Sequence, residues 1–362
     1  MTSLQTYLRT RLDLGSVPPK DPLRRFSTRV GSFAVLAVLA ATLPAGCGGD
    51  GDDSAPSPTQ LAPRVERPIE VGGTPTAIGV GEGAVWVADN TGGAVREIDP
   101  ATRKVVGKPI QVGNGPSAIA VGEGGVWVAS GDDRVYRIDP AERTAERAEI
   151  DVGDPRGIAV GEGSVWVTSS IDETVTRLDP TSLQAVGEPI PVGGRPGDVV
   201  VGDGRVWVVG NEDGTVTEIE ASSGEVANTI EVGEFGAFAL ALSEDGLWVA
   251  RASSRLANEI ELVKIDPDSG EIAGEPIALP NAAIPVRLAT GEGALWATLL
   301  GGLRPPRTKR LPAEVAYLPT GAETLAPERL EVGDQPSGIA VGEGAIWVTS
   351  ADEGIVTPIS PG

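Results

Sequence analysis

The chain has 362 residues, a formal net charge of −22, 49 Gly, 30 Pro, one Cys and no His. Nucleic-acid affinity rests on Lys and Arg neutralising phosphates, so this charge balance argues against a nucleic-acid partner. The lack of His removes the commonest general base, the commonest transition-metal ligand and the usual pH switch.

The chain opens on a sorting segment. Arg24, Arg25 and Arg29 precede an apolar run from Val30 to Leu43, and Leu43-Pro44-Ala45-Gly46-Cys47 follows. This is the pattern of a signal peptide. A run of fourteen residues is too short for a membrane-spanning helix, which needs roughly 20. The end of the run resembles a bacterial lipobox, which implies that Cys47 receives a lipid and becomes the mature N-terminus. Pro44 departs from that pattern, which prefers Leu three places before the Cys. Residues 1–46 are thus expected to be a lipoprotein signal peptide, whose removal leaves a net charge of −26. Residues 47–63, rich in Gly, Asp, Ser and Pro, read as a flexible tether, and residues 64–362 as the folded domain.

Within that domain the sequence repeats. Trp86, Trp127, Trp166, Trp207, Trp248, Trp296 and Trp347 stand at intervals of 41, 39, 41, 41, 48 and 51. The second repeat runs Pro116-Ser117-Ala118-Ile119-Ala120-Val121-Gly122-Glu123-Gly124-Gly125-Val126-Trp127-Val128-Ala129, then Arg134 to Pro140, then Ala145 to Gly153. These stretches read as four short strands. A Gly-Glu-Gly turn closes the first hairpin, and Ile138-Asp139-Pro140 stops the third strand, because Pro lacks a backbone donor and Asp hydrogen-bonds locally. Four antiparallel strands in about 40 residues is the blade unit of a propeller. The expectation is therefore an all-β, seven-bladed β-propeller of four-stranded blades. The chain ends before a seventh fourth strand, but Arg67-Pro68-Ile69-Glu70-Val71-Gly72 carries that motif ahead of the first repeat. It is expected to pair with the last blade and close the ring, which removes two open edges.

On Ile119-Ala120-Val121-Gly122-Glu123-Gly124, Val126-Trp127-Val128 and Ile138-Asp139-Pro140, residues 66–361 resemble the YVTN-type and streptogramin-lyase-like propellers of bacterial envelopes. Those motifs specify blade geometry. The resemblance implies an enzyme that opens a cyclic depsipeptide with a His base and a bound Mg²⁺, yet this chain offers no His to carry that role. The enzyme reading would need Glu or Lys in its place.

Three sets of residues stand out within the repeats. The Trp series reads as core, because each lies mid-strand between Val-like neighbours. Glu82, Glu123, Glu162, Asp203, Glu244 with Asp245, Glu292 and Glu343 place one acidic station per blade on one rim, read as solvated turns rather than as a Ca²⁺ ring. On the opposite rim the loops between second and third strands are short and acidic in blades two, three, four and seven. They lengthen in blades five and six, where they carry Arg251, Arg255, Arg304, Arg307, Lys309 and Arg310. This basic set is the expected ligand-binding site, suited to carboxylates or phosphates. The reading from sequence is a monomeric, lipid-anchored propeller at the extracytoplasmic face of the membrane. It is expected to need no catalytic residue, metal or cofactor, and to bind an envelope protein, peptide or anionic polymer. The alternatives are a lyase without His and a structural spacer; a deep polar pocket on the long-loop rim would favour the enzyme.

Overall fold

A computed structural model of the chain describes residues 61–254, 259–280, 286–300, 303–304, 309–310 and 313–362. Cys47 and the residues before it lie outside this set. Every regular element among the described residues is a β-strand, and the domain is a seven-bladed propeller of four-stranded antiparallel sheets. No helix among the described residues is long and apolar enough to cross a membrane.

Blade one comprises Pro75–Gly81, Ala84–Asp89, Ala94–Asp99 and Lys104–Gln111. Blade two comprises Pro116–Gly122, Gly125–Ser130, Arg134–Asp139 and Thr144–Arg147. Blade three holds Pro155–Gly161, Ser164–Ser169, Thr174–Leu178 and Ile190–Pro191, and blade four Pro196–Gly202, Arg205–Gly210, Thr215–Glu220 and Val226–Glu231. Blade five holds Ala237–Ser243, Gly246–Ala252, Ile260–Ile265 and Ile272–Leu279. Blade six holds Leu288–Gly291, Ala294–Leu299, Glu314–Pro319 and Leu330–Glu331. Between its second and third strands it adds a two-stranded ribbon, Leu303–Arg304 with Lys309–Arg310. Blade seven has Pro336–Gly342, Ala345–Ser350 and Ile355–Ser360.

The fourth strand of blade seven comes from the start of the domain. Arg64–Val65 pairs with Ser360 and Ile359, and Ile69–Glu70 pairs with Val356 and Ile355. The ring is closed by the N-terminal strand, as expected, through two short pieces on one partner.

Local chemistry explains the repetition. In six blades the residue after the first strand, such as Glu82 (φ 53°), is left-handed and is followed by a left-handed Gly, such as Gly83 (φ 72°). Two positive-φ residues make the turn whose twist suits a two-residue hairpin. At the end of the third strand the Asp99 carboxylate accepts the N–H groups of Ala101 (2.9 Å) and Thr102 (2.8 Å). Asp139, Asp179 and Asp266 repeat the arrangement. Five of the seven second strands are buried along their whole length, and those of blades four and five are so except at Arg205 and Arg251, because the faces of neighbouring blades cover both sides of each sheet. Six of the seven Trp side chains are 0–1 % exposed; Trp248 is 8 % exposed.

Candidate functional site

The first strand of each blade lines the axis of the ring, and in six blades its register slips just after its opening residue; blade six pairs without a slip. In blade one the shift falls between Pro75 and Ala77, in blade two between Pro116 and Ala118, in blade three between Pro155 and Ile158, and in blade four between Pro196 and Val199. Blades five and seven shift between Ala237 and Ala239 and between Pro336 and Gly338. Such a bulge re-aims a side chain out of the ladder. The residues at these stations surround a central cavity of about 500 Å³ that includes Thr76, Ser117, Arg156, Asp198, Phe238, Arg287 and Ser337 in its wall. The same cavity reaches Ser170, Arg195, Asn211 and Glu212, which lie on the loops between second and third strands and on the connections between blades. It therefore opens on the rim that also bears the long loops of blades five and six.

Three of the seven stations are hydroxyls with a structural duty. Thr76 Oγ1 donates to Pro116 O (3.0 Å), Ser117 Oγ to Pro155 O (3.0 Å) and Ser337 Oγ to Pro75 O (2.6 Å), each stitching a blade to its neighbour. Blade three has Arg156 at this station, and the stitch there comes from the second strand, where Thr168 Oγ1 donates to Gly197 O (2.8 Å). The Arg156 guanidinium is left for the cavity mouth, held by Asp154 at 2.8 Å. Arg195 stands beside it, paired with Glu212 at 3.0 Å.

Asp198 is half-buried against the cavity. Its Oδ2 accepts the Leu240 N–H of the next blade (2.9 Å) and its Oδ1 the Val199 N–H (3.0 Å). Burial raises its carboxyl above the ordinary carboxylate range, against the opposing pull of the Leu240 N–H, the Arg287 guanidinium and the Val199 N–H. The guanidinium of Arg287 bonds its neighbouring carbonyl, Val286 O (3.3 Å), and acts on Asp198 through space. Asn211 supplies a buried Oδ1 with no hydrogen-bond partner. Its side chain packs where a Cβ on Gly197 would stand, 2.5 Å away, so this position needs Gly. The wall thus combines guanidinium groups, a carboxyl biased towards its neutral form and an unsatisfied amide oxygen.

Of the basic residues singled out in the sequence, only Arg251 has a described side chain, and it is not part of this cavity's wall. Arg251 lies at the end of the second strand of blade five, bonded to Val232 O and paired with Glu261 at 3.2 Å. Arg304, Lys309 and Arg310 lie on the blade-six ribbon, where the described structure is the backbone alone. Arg255 and Arg307 lie outside the described residues. The acidic stations on the other rim staple hairpin to hairpin: Glu123 Oε1 accepts Gly163 N–H (3.1 Å), Glu162 Oε1 accepts Gly204 N–H (3.1 Å), and Asp245 Oδ2 accepts Gly321 N–H (3.1 Å). Among the described residues no three acidic side chains converge as a metal site would require. Mg²⁺ does not fit the central cavity either. That dication wants anionic oxygen ligands, whereas Glu212 is paired to Arg195, the Asp198 oxygens accept the Leu240 and Val199 N–H groups, and Arg156 and Arg287 share the wall.

No protein-family model matches the chain, and no curated protein matches it in sequence. Solved structures do match its fold. A streptogramin B lyase aligns with a TM-score of 0.67 at 17 % identity, over 83 % of this chain and 98 % of that one. A catalytically inactive His-to-Ala variant of virginiamycin B lyase from Staphylococcus aureus, solved with quinupristin, aligns with a TM-score of 0.66 at 17 % identity, over 83 % and 99 %. The selenomethionine form of that lyase gives the same values. At this identity the likeness is one of fold.

Proposed function

We propose that this protein is a non-catalytic binding propeller of the YVTN type, monomeric and held by a lipid at Cys47 on the outer face of the cytoplasmic membrane. It takes the anionic end of a peptide or envelope polymer into its central cavity. The carrying observation is that Arg156, Arg195 and Arg287 line one cavity of about 500 Å³ in a chain whose net charge is −22. Guanidinium forks match carboxylate and phosphate geometry, and a cavity wall of low dielectric strengthens that match. On loops of the same rim, Ile171 is 71 % exposed and Phe235 37 %, which gives the apolar part of a peptide somewhere to rest.

The test is calorimetric titration of the full chain in detergent with acidic peptides ending in a free carboxylate or in an amide. The carboxylate form should bind, with affinity reduced about tenfold or more by Arg156→Gln or Arg287→Gln. Equal binding of both peptide forms, or no effect of either substitution, would overturn the reading.

A second reading is supported by Asp198 itself. A carboxyl held above its usual range on a cavity wall has the property wanted of a general acid or base, and the fold neighbours include lyases. Turnover of a cyclic depsipeptide that disappears in Asp198→Asn would replace the binding reading with a lyase that works without His.

A further inference from the structure

The blades meet one another by a repeated fit on the rim of the Gly-Glu-Gly hairpins, and one of the seven seams breaks it. The last residue of the first strand is a Gly whose missing Cβ makes room for a side chain of the next blade. A Cβ on Gly81 would stand 2.7 Å from Val121, on Gly122 3.1 Å from Val160, on Gly161 2.9 Å from Val201, on Gly202 2.5 Å from Leu242, on Gly291 2.7 Å from Val341 and on Gly342 2.7 Å from Val80. Six seams close in this way. At the seam between blades five and six, Ser243 stands in the Gly position and Thr290 in the Val position. Thr290 turns its hydroxyl to Leu242 O (2.6 Å). The blade-five hairpin also departs from the others, since neither Glu244 nor Asp245 is left-handed.

At this seam lies a cleft of about 1090 Å³. Leu242, Ile277, Leu318 and Trp248 supply apolar wall, and carboxylates of both blades and of the neighbouring blade-four hairpin (Asp203, Glu244, Asp245, Glu275, Glu292 and Glu323) stand around it with one cation, Lys264. Trp248 is nine-tenths buried in the wall of the cleft, has the Lys264 ammonium 5.7 Å from its ring centroid, and makes no indole N–H bond of the kind its counterparts make. In the same register Trp86, Trp127, Trp296 and Trp347 donate to Gly81, Gly122, Gly291 and Gly342, on the hairpin rim where this cleft opens. Trp166 and Trp207 also lack that bond, but they are sealed at 0–1 % exposure. Trp248 is the one that borders open space.

We propose that the seam between blades five and six is a second binding site, on the rim opposite the central cavity, for a short apolar peptide with a free amino terminus. The apolar body fills the wedge, the ammonium meets the carboxylates of Glu244, Glu275 and Glu323, and a peptide carbonyl accepts the Trp248 N–H. The charge selects the ligand class: six carboxylates against one ammonium exclude an anion and reward a cation.

The test uses the full chain in detergent, titrated by calorimetry with trileucine amide, its N-acetylated form and N-acetyltrileucine with a free carboxylate. The free amine should bind, the acetylated amide about tenfold or more weakly, and the anion least of all. Glu275→Gln with Glu323→Gln should remove the preference for the amine while leaving the unfolding midpoint in place. Ser243→Gly with Thr290→Val restores the fit of the other six seams and should abolish binding without loss of stability, which separates a lost site from a lost fold. Equal binding of the amine and the anion, absence of amine binding, or binding unchanged in the seam-restoring variant would each overturn the proposal.

Discussion

Blades seven, one and two differ from blades three to six in what they turn towards the axis. The first group presents Ser337, Thr76 and Ser117, whose hydroxyls are all used in tying one blade to the next. The second presents Arg156, Asp198, Phe238 and Arg287, of which Asp198 bonds the next blade through the Leu240 N–H and the others carry no stitch of the hydroxyl kind. The broken seam and the long loops fall in this second arc as well. A repeat protein is stabilised by nearest-neighbour interfaces that resemble one another, so a regular arc reports the requirements of folding. An arc that departs from the pattern reports something else, and the propeller concentrates its departures on one side.

The sharpest way to break this comparison is to truncate equivalent tryptophans in a closed and an open seam. Trp207 is sealed between blades four and five, and Trp207→Ala should cost about 3–5 kcal/mol in denaturant unfolding, since the void cannot collapse. Trp248 borders the cleft, so water can enter the space it leaves, and Trp248→Ala should cost about 1–2 kcal/mol less. Equal losses would mean that the open seam is packed as tightly as the closed one.

A smaller effect is expected from exchanging the seam residues themselves. Gly81 has φ +154° and a Cβ there would press on Val121 at 2.7 Å, so Gly81→Ser should destabilise by about 1–3 kcal/mol. The reverse change in the open seam, Ser243→Gly, removes a side chain that fills no such hole and should stay within about 1 kcal/mol of the parent. Thermal unfolding of the two single variants distinguishes these outcomes; a large loss from Ser243→Gly would show that the open seam depends on its Ser.

The regular arc is what the sequence makes legible. Seven Trp at near-constant spacing, a Gly-Glu-Gly turn and an Ile-Asp-Pro stop recur because every blade solves the same packing problem, and Ile69 with Glu70 betrays the missing fourth strand by its wording. The central cavity was hidden for a physical reason. All but one of its stations sit at a bulge, where the ladder slips and the simple alternation of inward and outward side chains fails. Asp198 therefore reads along the chain as one more acidic residue among 51. The seam was hidden because its two halves, Ser243 and Thr290, belong to different repeats and meet only when blades stack. The long basic loops were the loudest departure in the sequence, yet Arg251 is held by Glu261 and Val232 while shorter departures line the cavity.

The mildest expected effect probes whether the irregular arc is kept at a cost to the fold. The Asp198 carboxyl is raised above its unfolded value by burial, so the folded state holds this proton more tightly than the unfolded state does. The stability linked to that proton is fully present below the unfolded value, near 3.9, and is lost as pH rises through the folded value. Wherever the folded protein holds this carboxyl ionised, it carries a desolvated charge, offset in part by the Leu240 N–H, Arg287 and the Val199 N–H. Asp198→Asn keeps the shape and removes the charge. It should stabilise the protein by about 1 kcal/mol at pH 7, an advantage that shrinks as pH falls towards 4, measured as unfolding free energy across that range. Arg287→Gln should act in the opposite sense, weakening the fold most at neutral pH, because it withdraws a charge that helps to hold the carboxylate. A stabilising Asn at position 198 would mean that the propeller folds better without its central acid, so the reason for an acid there must be sought in what enters the cavity. A destabilising Asn would return Asp198 to the ranks of the hydroxyl stations, as one more stitch between blades.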